Sequence, residues 1–437
     1  MDKALFAETV VEIKGLRARL GTFMRNYEGC IKTRPSRDNM KRYVGGQVGP
    51  LPRKNVENIA HEAGVPPRTL QNFLAQNAWD EDCVARKNRA ILIRDHFDEN
   101  AIGIIDETSD AKKGEKTVGV KRQHCGATGK RDNCVVSVHL AYATDDFAAL
   151  ADSDLFLPED WCADDDRRAE AGVPEDVAFR TKPEIALDLL RRTLAEGLPM
   201  KWLCADELYG RSGPFRDAVD AMSLNFVVEI PRNLTGRTPA RLEKRKAARR
   251  VDELWRRGGP SWVKYHVKTT GKGPEVWEAR VVDVHLSRDG RPGPLRKLLI
   301  ARNVRTGEVK YFLSNATDAT AETLLHVAFR RWQVERLFQD AKGCVGFDQS
   351  EVRKYTALKR HMILSMTSLL FLMREVTHLR KKTGSGARRR CGHASSGSLN
   401  RACRAGAARQ RQAAWRRCFS STGAPGRRQK PRTGAND

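Results

Sequence analysis

The sequence predicts an α/β fold, a mixed β-sheet flanked by helices, on three observations. Apolar residues alternate with polar ones in short runs between residues 102 and 142. Helix- and strand-patterned segments then alternate from about 182 to 230, and helical spacing fills the first hundred residues and the stretch after 320.

From Ala4 to about Tyr27 apolar residues recur at helical spacing. Between Asn55 and Leu74 the pattern is that of a helix-turn-helix. Ala60 is small where two helices would cross, Gly64 can take the positive φ of a tight turn, and Pro66-Pro67 suits the start of a second helix. Such a motif would present Arg68, Gln71 and Asn72 to a major groove, although an ordinary helical hairpin has the same pattern.

Gly103 to Glu107, Thr117 to Gln123 and Cys134 to Ala141 read as a β-meander, with turn chemistry in Gly126-Ala-Thr-Gly-Lys-Arg-Asp132. A polar, acidic linker around Asp164-Asp-Asp166 follows. Next come a helix (Lys182 to Glu196), a strand (Lys201 to Asp206), a helix (Pro214 to Met222) and a strand (Asn225 to Ile230). Three strands followed by alternating helices and strands is the order of a ribonuclease H-like fold.

A basic helix is expected around Arg241 to Arg257. Strands are expected at Trp262 to Lys268, Val276 to Leu286, Lys297 to Ala301 and Tyr311 to Leu313, read as an inserted β subdomain. Helix resumes from Ala321 to about Lys342 and from Thr356 to Lys382. The expected division is therefore a helical, helix-turn-helix-like DNA-binding region at 1–98, a catalytic α/β domain at 99–236 and 317–382, the β subdomain at 237–316, and a basic, disordered tail at 383–437.

The chain carries 79 Lys+Arg against 54 Asp+Glu, a net +25, and an excess that large is the footprint of a partner with many phosphates. From Arg380 onward 16 cations face a single acid, Asp437, so this stretch reads either as a nucleic-acid arm or as a frame-shifted end. The cysteines are scattered without a Cys-x-x-Cys pair, which argues against a zinc module or disulfide framework and for reduced thiols in a cytosolic protein. The first residues lack the basic start and apolar run of a secretory leader. The apolar run Met362 to Met373 is short and contains Ser365, Thr367 and Ser368, as a core helix does and a membrane span does not.

Asp106 and Asp206 stand where short apolar runs end, and Glu335 lies in a helical stretch. Two carboxylates on strand ends and one on a helix are a plausible hard-metal site for phosphodiester chemistry, although a lone Asp at a strand end is more often a turn or cap residue. On a helix Arg331, Glu335 and Lys342 fall along one edge, while Val327, Val334, Leu337 and Ala341 form the packing face. That edge suits a phosphate held beside a metal; a solvated charged stripe with an i,i+4 pair has the same spacing.

The chain resembles bacterial insertion-sequence transposases of the DDE class, in the branch whose third acid lies in a tyrosine-arginine-glutamate-lysine signature. Arg331, Glu335 and Lys342 match that signature in spacing, Trp332 follows the arginine, and the tyrosine position falls on Ala328. Similarity to the insertion-sequence 701 type runs through Asp106-Glu-Thr, Leu157-Pro-Glu-Asp-Trp161, Thr181-Lys-Pro-Glu184, Asp206-Glu-Leu-Tyr-Gly210 and Gly346-Phe-Asp-Gln-Ser-Glu-Val-Arg353.

The resemblance implies a transposase that cuts DNA hydrolytically at the ends of an insertion sequence and transfers the strand into target DNA. An inactive remnant that binds without cutting is the alternative. It implies Asp106, Asp206 and Glu335 as catalytic ligands of two Mg²⁺ ions, with Mn²⁺ as substitute, and Arg331, Trp332 and Lys342 as DNA contacts. The implied partners are double-stranded DNA, as terminal inverted repeats and target, and a second copy of the chain on that DNA, in the bacterial cytoplasm at the nucleoid and away from membranes. Trp332 is read as a base-stacking residue or a half-buried core residue. Glu107 and Glu207 are set aside because neighbours on a continuing strand point opposite ways.

Overall fold

The computed structural model describes residues 15–255, 262–270 and 273–388. Five helices come first: α1 (Leu16–Met24), α2 (Arg34–Val48), α3 (Val56–Glu62), α4 (Pro67–Ala75) and α5 (Glu81–His96). The turn between α3 and α4 forms as the residues suggest. Ala60 is fully buried at the crossing, Gly64 has φ +66°, and Pro67 opens α4 without the amide a first-turn residue can spare.

Cys30 and Cys83 are joined by a disulfide, against the expectation that all the cysteines are reduced. They lie 53 residues apart in sequence, and only the packing of α5 on the turn after α1 brings their Cα atoms to 5.4 Å. The other described cysteines are free thiols.

Strands β1 (Ile102–Ala111), β2 (Lys121–Cys125), β3 (Lys130–Ala143) and β4 (Ala148–Phe156) follow. β1 pairs antiparallel with β3, and β3 carries β4 and the short β2 on its other edge. The meander is thus β1-β3-β4, not the three runs expected. Thr117 to Val120 form a turn, and β4 was hidden in the sequence by Asp152, Ser153 and Asp154. Those acids are buried because cations meet them: Arg192 and Arg89 reach Asp152 at 2.7 and 3.1 Å, and Arg180 reaches Asp154 at 2.8 Å.

Beyond the short helices α6 (Glu159–Cys162) and α7 (Asp165–Ala171), α8 (Lys182–Ala195) starts with a reciprocal Thr181/Glu184 capping box. It leads to β5 (Trp202–Ala205), α9 (Glu207–Gly210), α10 (Gly213–Ala221) and β6 (Asn225–Glu229). β5 runs parallel to β1, and β6 parallel to β5, so this half of the sheet is ordered β4-β3-β1-β5-β6.

The basic helix expected around Arg241 to Arg257 does not form in the described part. In its place are β7 (Thr235–Arg237), α11 (Pro239–Glu243), β8 (Arg249–Arg250) and α12 (Val251–Leu254). Like charges packed through Lys244-Arg-Lys246 and Arg249-Arg250 would repel at helical spacing. β9 (Val263–Thr270), β10 (Gly273–Arg288), β11 (Arg291–Asn303) and β12 (Val309–Ser314) follow, and β12 pairs with β6, which makes them part of one twelve-stranded sheet.

α13 (Ala321–Arg330) and α14 (Trp332–Asp340) pass over β5 and β1, and a π-helical segment, Ala341–Val345, ends the run. α15 (Tyr355–Arg388) packs on β4, α2, α4 and α5. It continues past Lys382, where irregular chain was expected; the tail beyond residue 388 lies outside the described residues. Tyr355–Leu379 has the length and composition of a membrane span, but most of it is buried in protein. Its buried hydroxyls are satisfied by the helices it packs on. Gln47 bonds Ser365 and Ser368 at 2.7 and 2.8 Å, and Asn88 bonds Thr367 at 3.1 Å.

Candidate active site

β1 and β5 pair in parallel register with Ile105 opposite Ala205, so the next residue on each, Asp106 and Asp206, meet at the end of β5. The chain turns there. Asp206 caps α9, its Oδ1 accepting from the Leu208 amide at 2.9 Å. The strand therefore does not continue to Glu207 as assumed; that residue lies on α9 and pairs with Arg211. Glu107 follows Asp106 on a continuing strand, and its carboxylate accepts from Lys182 Nζ at 2.8 Å and Tyr209 Oη at 2.9 Å.

Tyr209 and Gly210 are read from this geometry and not from spacing alone. Tyr209 is buried against Glu107, and a Cβ on Gly210 would stand 1.8 Å from the Glu229 carbonyl oxygen, so α9 can close on β6 only with glycine there. The signal for both lay in Asp206-Glu-Leu-Tyr-Gly210, whose last two residues had no assigned role.

Arg331 sits at the junction of α13 and α14 and bridges two of the candidate acids. Its guanidinium donates to Asp106 Oδ2 at 3.0 Å and lies 3.1 Å from Glu335 Oε1 one helical turn on. Val327, Val334, Leu337 and Ala341 are buried, as their spacing predicts, which turns Arg331 towards β1. Glu335 is about half exposed, whereas Asp106 is buried.

Burial pushes the Asp106 carboxyl up to about 7; Arg331 opposes this, and Asp206 and Glu107 add to it by repulsion. Asp206 is raised likewise by burial and by Glu107. The Arg331 guanidinium thus offsets part of the cost of burying the Asp106 carboxylate.

Lys342 lies on the π segment and not on the regular helix, and reaches β1 further along. Its Nζ donates to the Ser109 carbonyl at 2.9 Å and stands 3.6 Å from Asp110 Oδ1. Four residues of strand separate Asp110 from Asp106, about 13 Å. Trp332 is 42 % exposed at the start of α14. Arg68 and Gln71 are exposed on α4 and Asn72 is half-buried. Among the described residues no three His, Cys, Asp or Glu side chains gather closely enough to hold a metal, because Arg331 stands between Glu335 and Asp106.

Lys54 was not foreseen. Buried, it donates to the carbonyls of Gly49 at the end of α2, of Gln47, and of Cys344 in the π segment, and so ties the helical region to the chain that follows Glu335. A lysine between loops carries no periodic signal.

Residues 26–282 match the family model described as DDE superfamily endonuclease, a span that includes Asp106 and Asp206 and ends before Glu335. A probable transposase for insertion sequence element IS701 from Microchaete diplosiphon is 33% identical over 192 residues, covering 43% of this chain and 47% of that protein. The chain thus spans about half the length of that curated relative. With more than half of its residues inside the family model, the chain belongs to the DDE superfamily of endonucleases.

Proposed function

We propose that the protein is a transposase of the insertion-sequence 701 type, acting in the bacterial cytoplasm as a homodimer on duplex DNA. It would cut hydrolytically at the terminal repeats of its element and join the freed end to target DNA. The observation that carries this reading is the pair of buried Asp106 and partly buried Asp206 at the end of parallel strands, with Asp106 joined through Arg331 to Glu335 on a helix. The order β4-β3-β1-β5-β6 supports a ribonuclease H-like catalytic core at 99–236 and 317–382, with 237–316 inserted and 1–98 serving DNA recognition.

Endonucleases of this superfamily use divalent metal ions. The residues fit one: a buried and a partly buried carboxylate that repel each other are the hard oxygen donors Mg²⁺ selects, and cation binding would relieve that repulsion. When bound, a pair of such ions would activate water and stabilise the leaving oxygen. Asp106, Asp206 and Glu335 would hold them, which requires Arg331 to release a carboxylate. The freed guanidinium would then fork onto the scissile phosphate. The Leu208 amide holds Asp206 in position, and Lys182 with Tyr209 holds Glu107 away from the ions.

The test is nicking of a duplex carrying the element's own end by the full chain, in Mg²⁺ and in EDTA. Cleavage confined to Mg²⁺ and to that end supports the reading. Binding without cleavage in either condition would favour the inactive remnant.

A further inference from the structure

The β2–β3 hairpin has a feature that the carboxylate site does not use. Pairing of β1 with β3 ends at Ala111 opposite Cys134, and β3 continues to Lys130 paired to β2, with Asn133 also bonded to Lys112 just after β1. The result is a two-stranded ribbon, closed by the exposed turn Gly126 to Gly129, that folds back on β1. Its orientation is fixed by burial. Cys125 and Cys134 are fully buried in a small cluster with Val136, and the Gly126 amide donates to Ser109 Oγ of β1 at 2.8 Å.

Because side chains alternate along a strand, the face opposite Cys125 carries Arg122, His124 and Arg131, with His124 and Arg131 directly paired across the ribbon. Arg122, His124, Lys130 and Arg131 are all exposed. A charged face is often only a solvated one, and near the base of the ribbon acids do meet the cations: Asp160 pairs with Lys121 and Glu170 with Lys116, both at 2.9 Å. Towards the tip the balance differs. Among the described residues no carboxylate pairs with Arg122, Lys130 or Arg131, and the one bond Arg131 makes is to the Arg122 carbonyl. The ribbon is also aligned with the site, since Ser109, which anchors it, lies three residues beyond Asp106 and receives Lys342 on its carbonyl.

We propose that this ribbon is a DNA-binding arm in which Arg122, Lys130 and Arg131 hold backbone phosphates of a duplex that lies against it. A two-stranded ribbon matches the width of a major groove, and Arg122 and Arg131 on its outer face, with Lys130 exposed at its tip on the face of Cys125, match the phosphates that border it. The contact is independent of base sequence. It rests on the reading of the chain as a DNA-cutting enzyme.

The test uses the full chain with Arg122→Ala, Lys130→Ala and Arg131→Ala combined. Affinity is measured against salt on a random duplex and on the element's end. The slope of log affinity against log salt should become shallower by about 2 to 3 on both duplexes, since each lost phosphate contact removes about 0.9. An unchanged slope overturns the arm, as does displacement of duplex by polyglutamate at equal charge concentration.

Should the variant melt early, the wild-type chain decides. Duplex should protect Lys130 from acetylation and leave Lys201, at the opposite end of β1 beside Ile102, unprotected. Equal labelling of Lys130 with and without DNA overturns the proposal. Mg²⁺-dependent cutting together with an unaffected ribbon variant removes the arm and keeps the enzyme, whereas a wild-type chain that binds no duplex removes both.

Discussion

Arg331 is the residue on which the carboxylate corner turns, because one guanidinium satisfies Asp106 and Glu335 at once. Arg331→Ala should retain metal binding by calorimetry while cleavage falls by at least tenfold, since the phosphate would lose its fork. Loss of metal binding would instead make Arg331 an organiser of the ligands. His361 gives a second expectation at this scale. Its Nε2–H donates to the Phe347 carbonyl at 2.9 Å, its Nδ1 accepts from the Tyr43 hydroxyl at 2.8 Å, and burial holds its imidazole down to about 4 from 6.5. Between those values the unfolded chain binds the proton that the folded chain refuses, so this contribution to stability is present above pH 6.5 and is lost as pH falls towards 4. Denaturant melts at pH 7 and 5 should show the wild-type chain losing about 2 kcal/mol more than His361→Asn over that range. Equal losses would show that His361 is protonated in the fold. Asp106 and Asp206 were legible as candidates because each sits at the end of an apolar run, and Glu335 because it lies on the polar edge of a helical stretch. The bridging role of Arg331 was not, because helical spacing alone made it a partner of Glu335 and gave no link to β1.

At the scale of elements, the parallel pair β1/β5 and the helices over it were readable, and β4 was not. Asp152 and Asp154 break the apolar pattern of that strand, and their burial depends on cations from α5, α8 and the segment before α8. Arg89 is the clearest of these, nearly fully buried and bonded twice to Glu196 at 2.6 Å. Arg89→Met leaves Glu196 and part of Asp152 uncompensated, and should destabilise the fold by about 3 to 5 kcal/mol in chemical denaturation. A cost under about 1 kcal/mol would mean that water replaces the arginine. The π segment was invisible for a related reason. Its carbonyl at Cys344 is satisfied by Lys54 from far away in the chain, so no local signal announces the change in helical phase that moves Lys342 off the Glu335 edge.

On the scale of the whole molecule, a chain with a net charge of +25 places an acidic corner, Asp106 with Asp206, at the end of two parallel strands. The 12 Lys+Arg after Arg388 add to that excess without belonging to the described fold. Deleting residues 389–437 should leave the melting transition in place and make the salt dependence of non-specific DNA binding shallower; a lost transition would show that the segment packs on the core. The central claim is that Asp106, Asp206 and Glu335 act together as ligands for cutting. Its most direct measurement is Mg²⁺-dependent nicking of the element's end by Asp106→Asn, Asp206→Asn and Glu335→Gln, beside gel-shift affinity for the same duplex. Each variant should lose nicking by at least a thousandfold, about 4 kcal/mol of barrier, and keep affinity within a few-fold. Wild-type nicking by any one of them would contradict the claim for that residue and for the site as a unit.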